Sequence, residues 1–274
     1  MFEARLSKCL LLKKVVDGIR DLIVEGNFDC SEEGVALQAM ETSHVALVSL
    51  LIRADAFESY RCDRPVSLGI GIKPFSTILK CAGTDDSVTI KAQDEGADTA
   101  EFIFENESQD RISDFELKLM DIDAEHLGIP DEPYAATIKM PSSEFRRIVT
   151  DLGVIGDLCQ IEVSKSGASF QVKGDIGKGN ICLHSSVSAD KPEESVVIEM
   201  TEPVKMSYAL RYLSMFSKAS PLSDTVTIQI SNDVPIAIQY SLERDQGFLK
   251  FFLAPKVEED ATATATGDAT GDTQ

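Results

Sequence analysis

The chain has 274 residues, 43% hydrophobic and 26% charged, with a formal net charge of −20. That is the composition of a soluble globular protein with room for two domains of roughly 130 residues each, large enough to fold without metals or disulfides. Taken alone, the acidic balance argues against nucleic acid, whose binding is driven by cations on phosphate.

The six cysteines are scattered, with no Cys-x-x-Cys pair, which suits a reducing compartment where Cys is a small core hydrophobe. The apolar run 9–12 stops at Lys13 and Lys14, too soon for a leader peptide. The apolar run 45–52 falls far short of the ~20 residues of a membrane helix. A soluble, intracellular protein is expected.

In chain order, the first predicted helix covers 7–23, where Leu12, Val15, Val16, Ile19, Leu22 and Ile23 form a stripe. Strands follow at 35–37, 45–52 and 66–72. A second helix, opened by a proline, spans 74–81 with Phe75, Ile78 and Leu79 on one face. Strands at 87–92 and 100–104 lead to a linker at 115–133, rich in acids and prolines. A strand at 135–140 precedes a third helix at 142–152, with Ser142 as cap and Phe145, Ile148, Val149 and Leu152 as stripe. Strands at 160–163, 169–172, 181–183 and 196–200 come next. A fourth helix at 206–218 carries Leu210, Leu213 and Phe216, with Pro221 beyond its end. Strands at 225–230, 236–240 and 249–253 close the ordered part. The segment 257–274 lacks apolar residues to bury and is expected to be disordered.

The chain repeats itself. The stretch 31–39 (SEEGVALQA) has an echo at 164–172 (SKSGASFQV), and 86–91 (DSVTIK) at 224–229 (DTVTIQ). A repeat this long is a duplicated domain rather than a solenoid unit. Each half reads as helix, strands, helix, strands, an α+β arrangement with antiparallel sheets.

The charge is segregated. The helical segments, with Lys73, hold ten cations (Lys8, Lys13, Lys14, Arg20, Lys73, Lys80, Arg146, Arg147, Arg211, Lys218) against Asp17, Asp21, Glu144 and Asp151. That surplus of six leaves −26 for the rest. Lys13 and Arg20, Lys73 and Lys80, and Arg211 and Lys218 are each seven apart, close to two turns, so each pair shares a face. Helix exteriors are often charged. A basic helical surface on an acidic body is a sharper pattern, one that can track a phosphate backbone without reading sequence.

Chemistry is not indicated. Asp121, Asp123 and Glu125 alternate but lack the ligand number and glycine of a calcium loop. His44, His126 and His184 stand apart from any nucleophile motif, and there is no P-loop or Gly-x-Gly-x-x-Gly. Leu127, Ile129 and Pro130 of the linker are too apolar for a plain tether. With 251–255 they frame a surface pocket for partner peptides, or simply pack.

Long motifs, in order, resemble the eukaryotic DNA sliding clamps from residue 1 to about 259: 1–6 (MFEARL), 43–45 (SHV), 60–64 (YRCDR), 78–83 (ILKCAG), 118–121 (KLMD), 127–130 (LGIP), 209–213 (ALRYL) and 253–256 (LAPK). The resemblance implies a homotrimeric, head-to-tail ring of six similar domains around duplex DNA, helices inside and sheets outside. It implies domains at 1–117 and 136–258, a connecting loop at 118–135 and a tail at 259–274. It makes Lys13, Lys14, Arg20, Lys80, Arg147, Arg211 and Lys218 the ring-interior cations, with departures at Thr77 and Thr150, where members often carry a cation. It assigns the pocket for partner PIP-box motifs to Met40, His44, Val45, Leu47, Leu127, Ile129, Tyr134, Pro235, Phe252 and Ala254, with Phe251 and Phe252 where tyrosines are common. The subunit contact pairs 110–118, with Phe115, against 175–183, with Ile181. Lys165 is the implied ubiquitin or SUMO acceptor.

The implied role is a non-enzymatic processivity factor in the nucleus, without cofactor. Its implied partners in replication and repair are DNA polymerase, clamp loader, flap endonuclease and DNA ligase. Competing readings are a checkpoint-clamp subunit, a metal-dependent enzyme using the linker carboxylates, and an acidic scaffold that forms no ring.

Overall fold

A computed structural model describes residues 1–93, 96, 98–123, 133–187, 190–232 and 234–256. The first half runs β1 (Phe2–Leu6), α1 (Leu10–Ile19), β2 (Glu25–Ser31), β3 (Gly34–Met40), β4 (Ala46–Arg53), β5 (Ser59–Cys62), β6 (Val66–Gly71), α2 (Ile72–Lys80), β7 (Ser87–Ala92), β8 (Thr99–Asn106) and β9 (Arg111–Lys118). The second runs β10 (Ala136–Pro141), α3 (Ser142–Gly153), β11 (Leu158–Ser164), β12 (Gly167–Gly174), β13 (Gly177–Leu183), β14 (Val197–Met200), β15 (Val204–Ala209), α4 (Leu210–Ser217), β16 (Thr225–Ile230), β17 (Ile236–Ser241) and β18 (Gly247–Leu253). The two orders are identical, so the echoes in the sequence mark a full structural duplication.

All strand pairings are antiparallel. In the first half β5-β1-β7-β8-β9 form one sheet; its counterpart in the second half is β14-β10-β16-β17-β18. The second sheet of each half is β4-β3-β2-β6 or β13-β12-β11-β15. The halves are joined because β18 pairs with β4, from Gly247 opposite Ile52 to Leu253 opposite Ala46, giving a continuous nine-stranded sheet.

The apolar stripes face these sheets as the periodicity predicts: Leu12, Val15, Val16 and Ile19 of α1, and Phe145, Ile148, Val149 and Leu152 of α3, are all buried. At the junction Phe251 stacks on Phe216, with centroids 4.6 Å apart and planes 10° apart. Gly18 lets α1 approach closely there, since a Cβ on it would lie 3.1 Å from Ala219 Cβ.

Several sequence expectations need correction. Residues 115–118 belong to β9 rather than to the linker, because Phe115 and Leu117 turn inward while Asp114, Glu116 and Lys118 stay exposed. Residues 206–209 are strand, because β15 pairs with β11; the fourth helix begins at Leu210. The first helix is confined to Leu10–Ile19. Ser142 does not cap α3: its N–H bonds the Asp224 carbonyl and its buried hydroxyl finds no partner among the described residues. Strands β1, β2 and β5 went unpredicted, although β1 alternates buried Phe2, Ala4 and Leu6 with half-exposed Glu3 and Arg5. Of the cysteines, Cys9, Cys30 and Cys159 are buried, but Cys81 and Cys182 are exposed. The expected tail, 259–274, lies outside the described residues.

One buried carboxylate ties the first half together. Asp86, 5% exposed, accepts from the Gly83 N–H at 2.7 Å and the Asn106 amide at 2.5 Å, while its own carbonyl accepts from the Cys9 N–H at 2.7 Å. The Gly83 bond leads in holding its carboxyl below the usual range, with the Asn106 bond adding to it and burial opposing. A carboxyl depressed in the folded state stabilises above its unfolded pKa of about 3.9, and that contribution fades as pH falls through the folded value.

Two outcomes follow for urea titrations. Phe251→Ala should lose about 3–5 kcal/mol, the range for emptying a buried aromatic site. Asp86→Asn should lose about 1–3 kcal/mol at neutral pH, and less near pH 3, because one donor is left without an acceptor.

Candidate nucleic-acid interface and partner groove

Helix α2 packs on α1, α1 on α4, and α4 on α3, so the four helices form one row. Each buries its apolar stripe and turns its cations away from the sheets. Lys13, Arg20 and Lys80 line one shallow groove between α1 and α2, with Val16, Asp17, Ser76 and Leu79. Lys13 Nζ donates to the Ala82 carbonyl just past the end of α2, at 2.5 Å. Lys14 lies on the opposite flank of α1, beside Leu222 and Leu242.

The row is not bare of acids. Arg20 pairs with Asp17 at 2.9 Å and lies 4.0 Å from Asp21; Lys218 pairs with Asp21 at 2.5 Å, and Arg147 with Asp151 at 3.7 Å. These side chains are 40–73% exposed. Exposed pairs contribute about 0–1 kcal/mol, so the carboxylates leave the cations free to exchange partners with an incoming phosphate. The Thr77 and Thr150 hydroxyls bond back to the Lys73 and Arg146 carbonyls, at 2.9 and 2.7 Å, and so are committed to their own helices. Arg211 sits over the Tyr212 ring, 4.6 Å from its centroid.

The joined sheet builds a second feature. Ala237 lies opposite Phe252, Phe252 opposite Leu47, and Leu47 opposite Met40, so four side chains form a row across four strands. Leu47, Ala237 and Phe252 are buried together, with Met40 and Tyr134 packed against them. The Tyr134 hydroxyl donates to the Pro235 carbonyl at 3.1 Å, and the Val45 carbonyl accepts from the Ala254 N–H at 2.9 Å. His44 takes a left-handed φ of 58° and sets its Nδ1 3.1 Å from Met40 Sδ. The structure thus gathers Met40, His44, Val45, Leu47, Tyr134, Pro235, Phe252 and Ala254. Leu127 and Ile129 lie outside the described residues. Sequence reasoning missed Ala237, which only strand register reveals, and Lys250, whose Nζ stands 5.1 Å from the Phe252 ring centroid. Phe251 points the other way, fully buried in the core.

The remaining expected residues fall elsewhere. Phe115 is half-buried on edge strand β9, 5.7 Å from the Phe104 ring, and Ile181 is half-buried on edge strand β13. Ile112 on β9 is 69% exposed, and Ile176, in the turn before β13, is 76% exposed. Lys165 is exposed in the tight turn between β11 and β12. Asp121 and Asp123 are described and Glu125 is not. Among the described residues no three His, Cys, Asp or Glu side chains gather as a metal site, and no helix is long and apolar enough to cross a membrane.

Because the Lys218–Asp21 pair is exposed, Asp21→Asn should change stability by less than about 1 kcal/mol in a urea titration; a loss of several would mean that the pair locks α1 to α4.

Two family models match consecutive stretches of the chain as far as residue 256. Residues 1–126 match that of "Proliferating cell nuclear antigen, N-terminal domain", and residues 128–256 that of "Proliferating cell nuclear antigen, C-terminal domain".

Proposed function

The chain belongs to the proliferating cell nuclear antigen family of DNA sliding clamps, and from that premise we propose that three copies close head to tail around duplex DNA. The observation that carries this reading is the junction within the chain. There β18, the last strand of one sheet, pairs with β4, the first strand of another. Their counterparts β9 and β13 occupy the same places in the duplicated halves and lie at sheet edges. The same pairing made between copies joins β9 to the next copy's β13. Carrying the internal register across the repeat sets Phe115 opposite Gly179 and Ser113 opposite Ile181. Head-to-tail contacts close into a ring when their rotation divides a full turn. The family resemblance sets the number at three.

In such a ring the row of helices faces inward, and Lys13, Lys14, Arg20, Lys80, Arg147, Arg211 and Lys218 meet phosphates. The contacts are independent of sequence, so the ring slides. The groove of Met40, His44, Val45, Leu47, Tyr134, Pro235, Phe252 and Ala254, completed by Leu127 and Ile129, receives the PIP-box motifs of DNA polymerase, clamp loader, flap endonuclease and DNA ligase. A tethered partner rebinds at high effective concentration, which is how a protein without chemistry of its own raises processivity in replication and repair. The same reading places the protein in the nucleus and makes Lys165 the acceptor for ubiquitin or SUMO.

Three measurements test this. Light scattering should give about 90 kDa, three times the 29.9 kDa chain, and Phe115→Asp should bring the mass toward that of one chain. A single-chain mass for the unaltered protein sinks the ring. Reversal of Arg20, Lys80 and Lys218 to glutamate should keep the mass but impair polymerase processivity; undiminished processivity removes the inner-wall assignment. By calorimetry, Leu127→Ala with Ile129→Ala should weaken a PIP-type peptide at least tenfold, and equal affinity removes the groove assignment.

A further inference from the structure

Arg211 is held differently from the other helix cations. Arg20, Arg147 and Lys218 pair with exposed carboxylates. Arg211 instead lies over the Tyr212 ring and donates to the Tyr212 hydroxyl at 2.9 Å. Tyr212 is only 3% exposed, so this support cannot swing away as a surface side chain does. The hydroxyl in turn lies 3.2 Å from Glu41 Oε2 and 2.8 Å from Ser43 Oγ. A phenol has one proton to give. Because Arg211 can only donate, that proton is free for the loop, and donation runs from Arg211 to Tyr212 to Glu41.

Glu41 anchors the loop between β3 and β4. It accepts from the Ser43 N–H at 3.0 Å, the Thr42 hydroxyl at 3.1 Å and the Ser43 hydroxyl. Burial pushes its carboxyl up, but the bonds from Ser43, Thr42 and Tyr212 together hold it below the usual range. The loop closes on itself through the Glu41 N–H to the Ala46 carbonyl, at 2.9 Å, and the His44 N–H to the Glu41 carbonyl, at 2.8 Å. The next residues, His44 and Val45, rim the groove. A short run of hydrogen bonds therefore crosses the junction between the halves, from a cation on the helical row to the rim of the apolar groove. The duplicated half has no equivalent: the residue after Lys73, at the place of Tyr212, is Pro74, which carries no hydroxyl.

We propose that Tyr212 and Glu41 are positioning residues that hold Arg211 toward phosphate and couple duplex binding on the helical row to peptide binding in the groove. The proposal rests on the function given above, with Arg211 as a phosphate contact and the groove as a peptide seat. A long cationic side chain loses rotamer freedom when it binds, and support in place beforehand reduces that cost. A peptide that settles the loop at 41–45 also settles the support of Arg211, so each ligand should strengthen the other by one common factor.

The test uses the full-length assembled protein, a short fluorescent duplex at low salt, and a synthetic peptide with two aromatic residues on one helical turn. Arg211→Ala should lower the slope of log affinity against log salt by about one for each phosphate that is no longer neutralised. Tyr212→Phe keeps the ring and loses the hydroxyl; Glu41→Gln keeps the side-chain size and removes its charge. Each should weaken duplex binding about two- to fivefold in the unaltered protein and not at all in the Arg211→Ala background. The peptide should bind a few-fold tighter with duplex present, and Tyr212→Phe should abolish that gain. Equal losses with and without Arg211, or a gain that survives Tyr212→Phe, overturns the positioning role while leaving the clamp reading intact. An unchanged salt slope in Arg211→Ala removes Arg211 as a phosphate contact, and the proposal with it.

Discussion

The pairing of β18 with β4 is the constraint on which the rest depends. It turns two similar halves into one continuous sheet, and both the contact between α1 and α4 and the apolar groove lie against that seam. On one side it brings α1 against the end of α4, with Gly18 meeting Ala219 just past that helix, and so places Asp21 beside Lys218. On the other it sets Phe252 opposite Leu47 and builds the groove. Tyr212 crosses the seam to reach Glu41. The energy that holds the seam comes chiefly from burial of Phe251, Leu249 and Phe216, each 0% exposed, because apolar area removed from water outweighs the small contribution of surface ion pairs.

The electrostatic design follows from where the sheets put the helices. An acidic protein repels other acidic surfaces, yet in the proposed clamp one face accepts phosphate. Segregation meets both demands. The carboxylates left on that face, Asp17, Asp21 and Asp151, pair weakly enough to exchange, which under the proposed function would limit how long any one phosphate is held. A surface that tracks a polyanion without stopping on it benefits from such competition.

The duplication was legible because turn chemistry is local. Gly34 and Gly167 both stand at φ beyond +120°, where other residues are strained, and both end the same four-residue Ser-x-x-Gly turn. Helical stripes and most strands were readable for the same reason. Strand β9 was half lost to the linker because an edge strand with Arg111, Asp114, Glu116 and Lys118 exposed looks like a solvated connection. Residues 206–209 read as helix because Met206, Leu210 and Leu213 have helical spacing, while the partner that makes them strand, β11, is remote in sequence. Ala237 in the groove and the Tyr212–Glu41 bond depend on register across the seam, which no local pattern encodes. Of the groove residues named, Leu127, Ile129, Phe252 and Ala254 were within reach of the apolar linker and of 251–255, while Met40, His44, Val45, Leu47, Tyr134 and Pro235 came from family resemblance alone.

The unpaired sheet edges carry one more consequence. Edges β5 and β14 are only four residues long. Edge β6 is covered where the Met120 N–H bonds the Gly69 carbonyl, and β15 where the Lys256 N–H bonds the Ser207 carbonyl. Among the described residues, the long edges left open are β9 and β13, of eight and seven residues. If copies associate through these two edges, as proposed, each is divalent, with one complementary end of each kind, and association gives only a line or a loop. Which of the two forms is decided by the angle between the halves rather than by the strength of any contact. In the proposed ring, a substitution that twists the seam while leaving affinity untouched would turn a closed particle into an open filament.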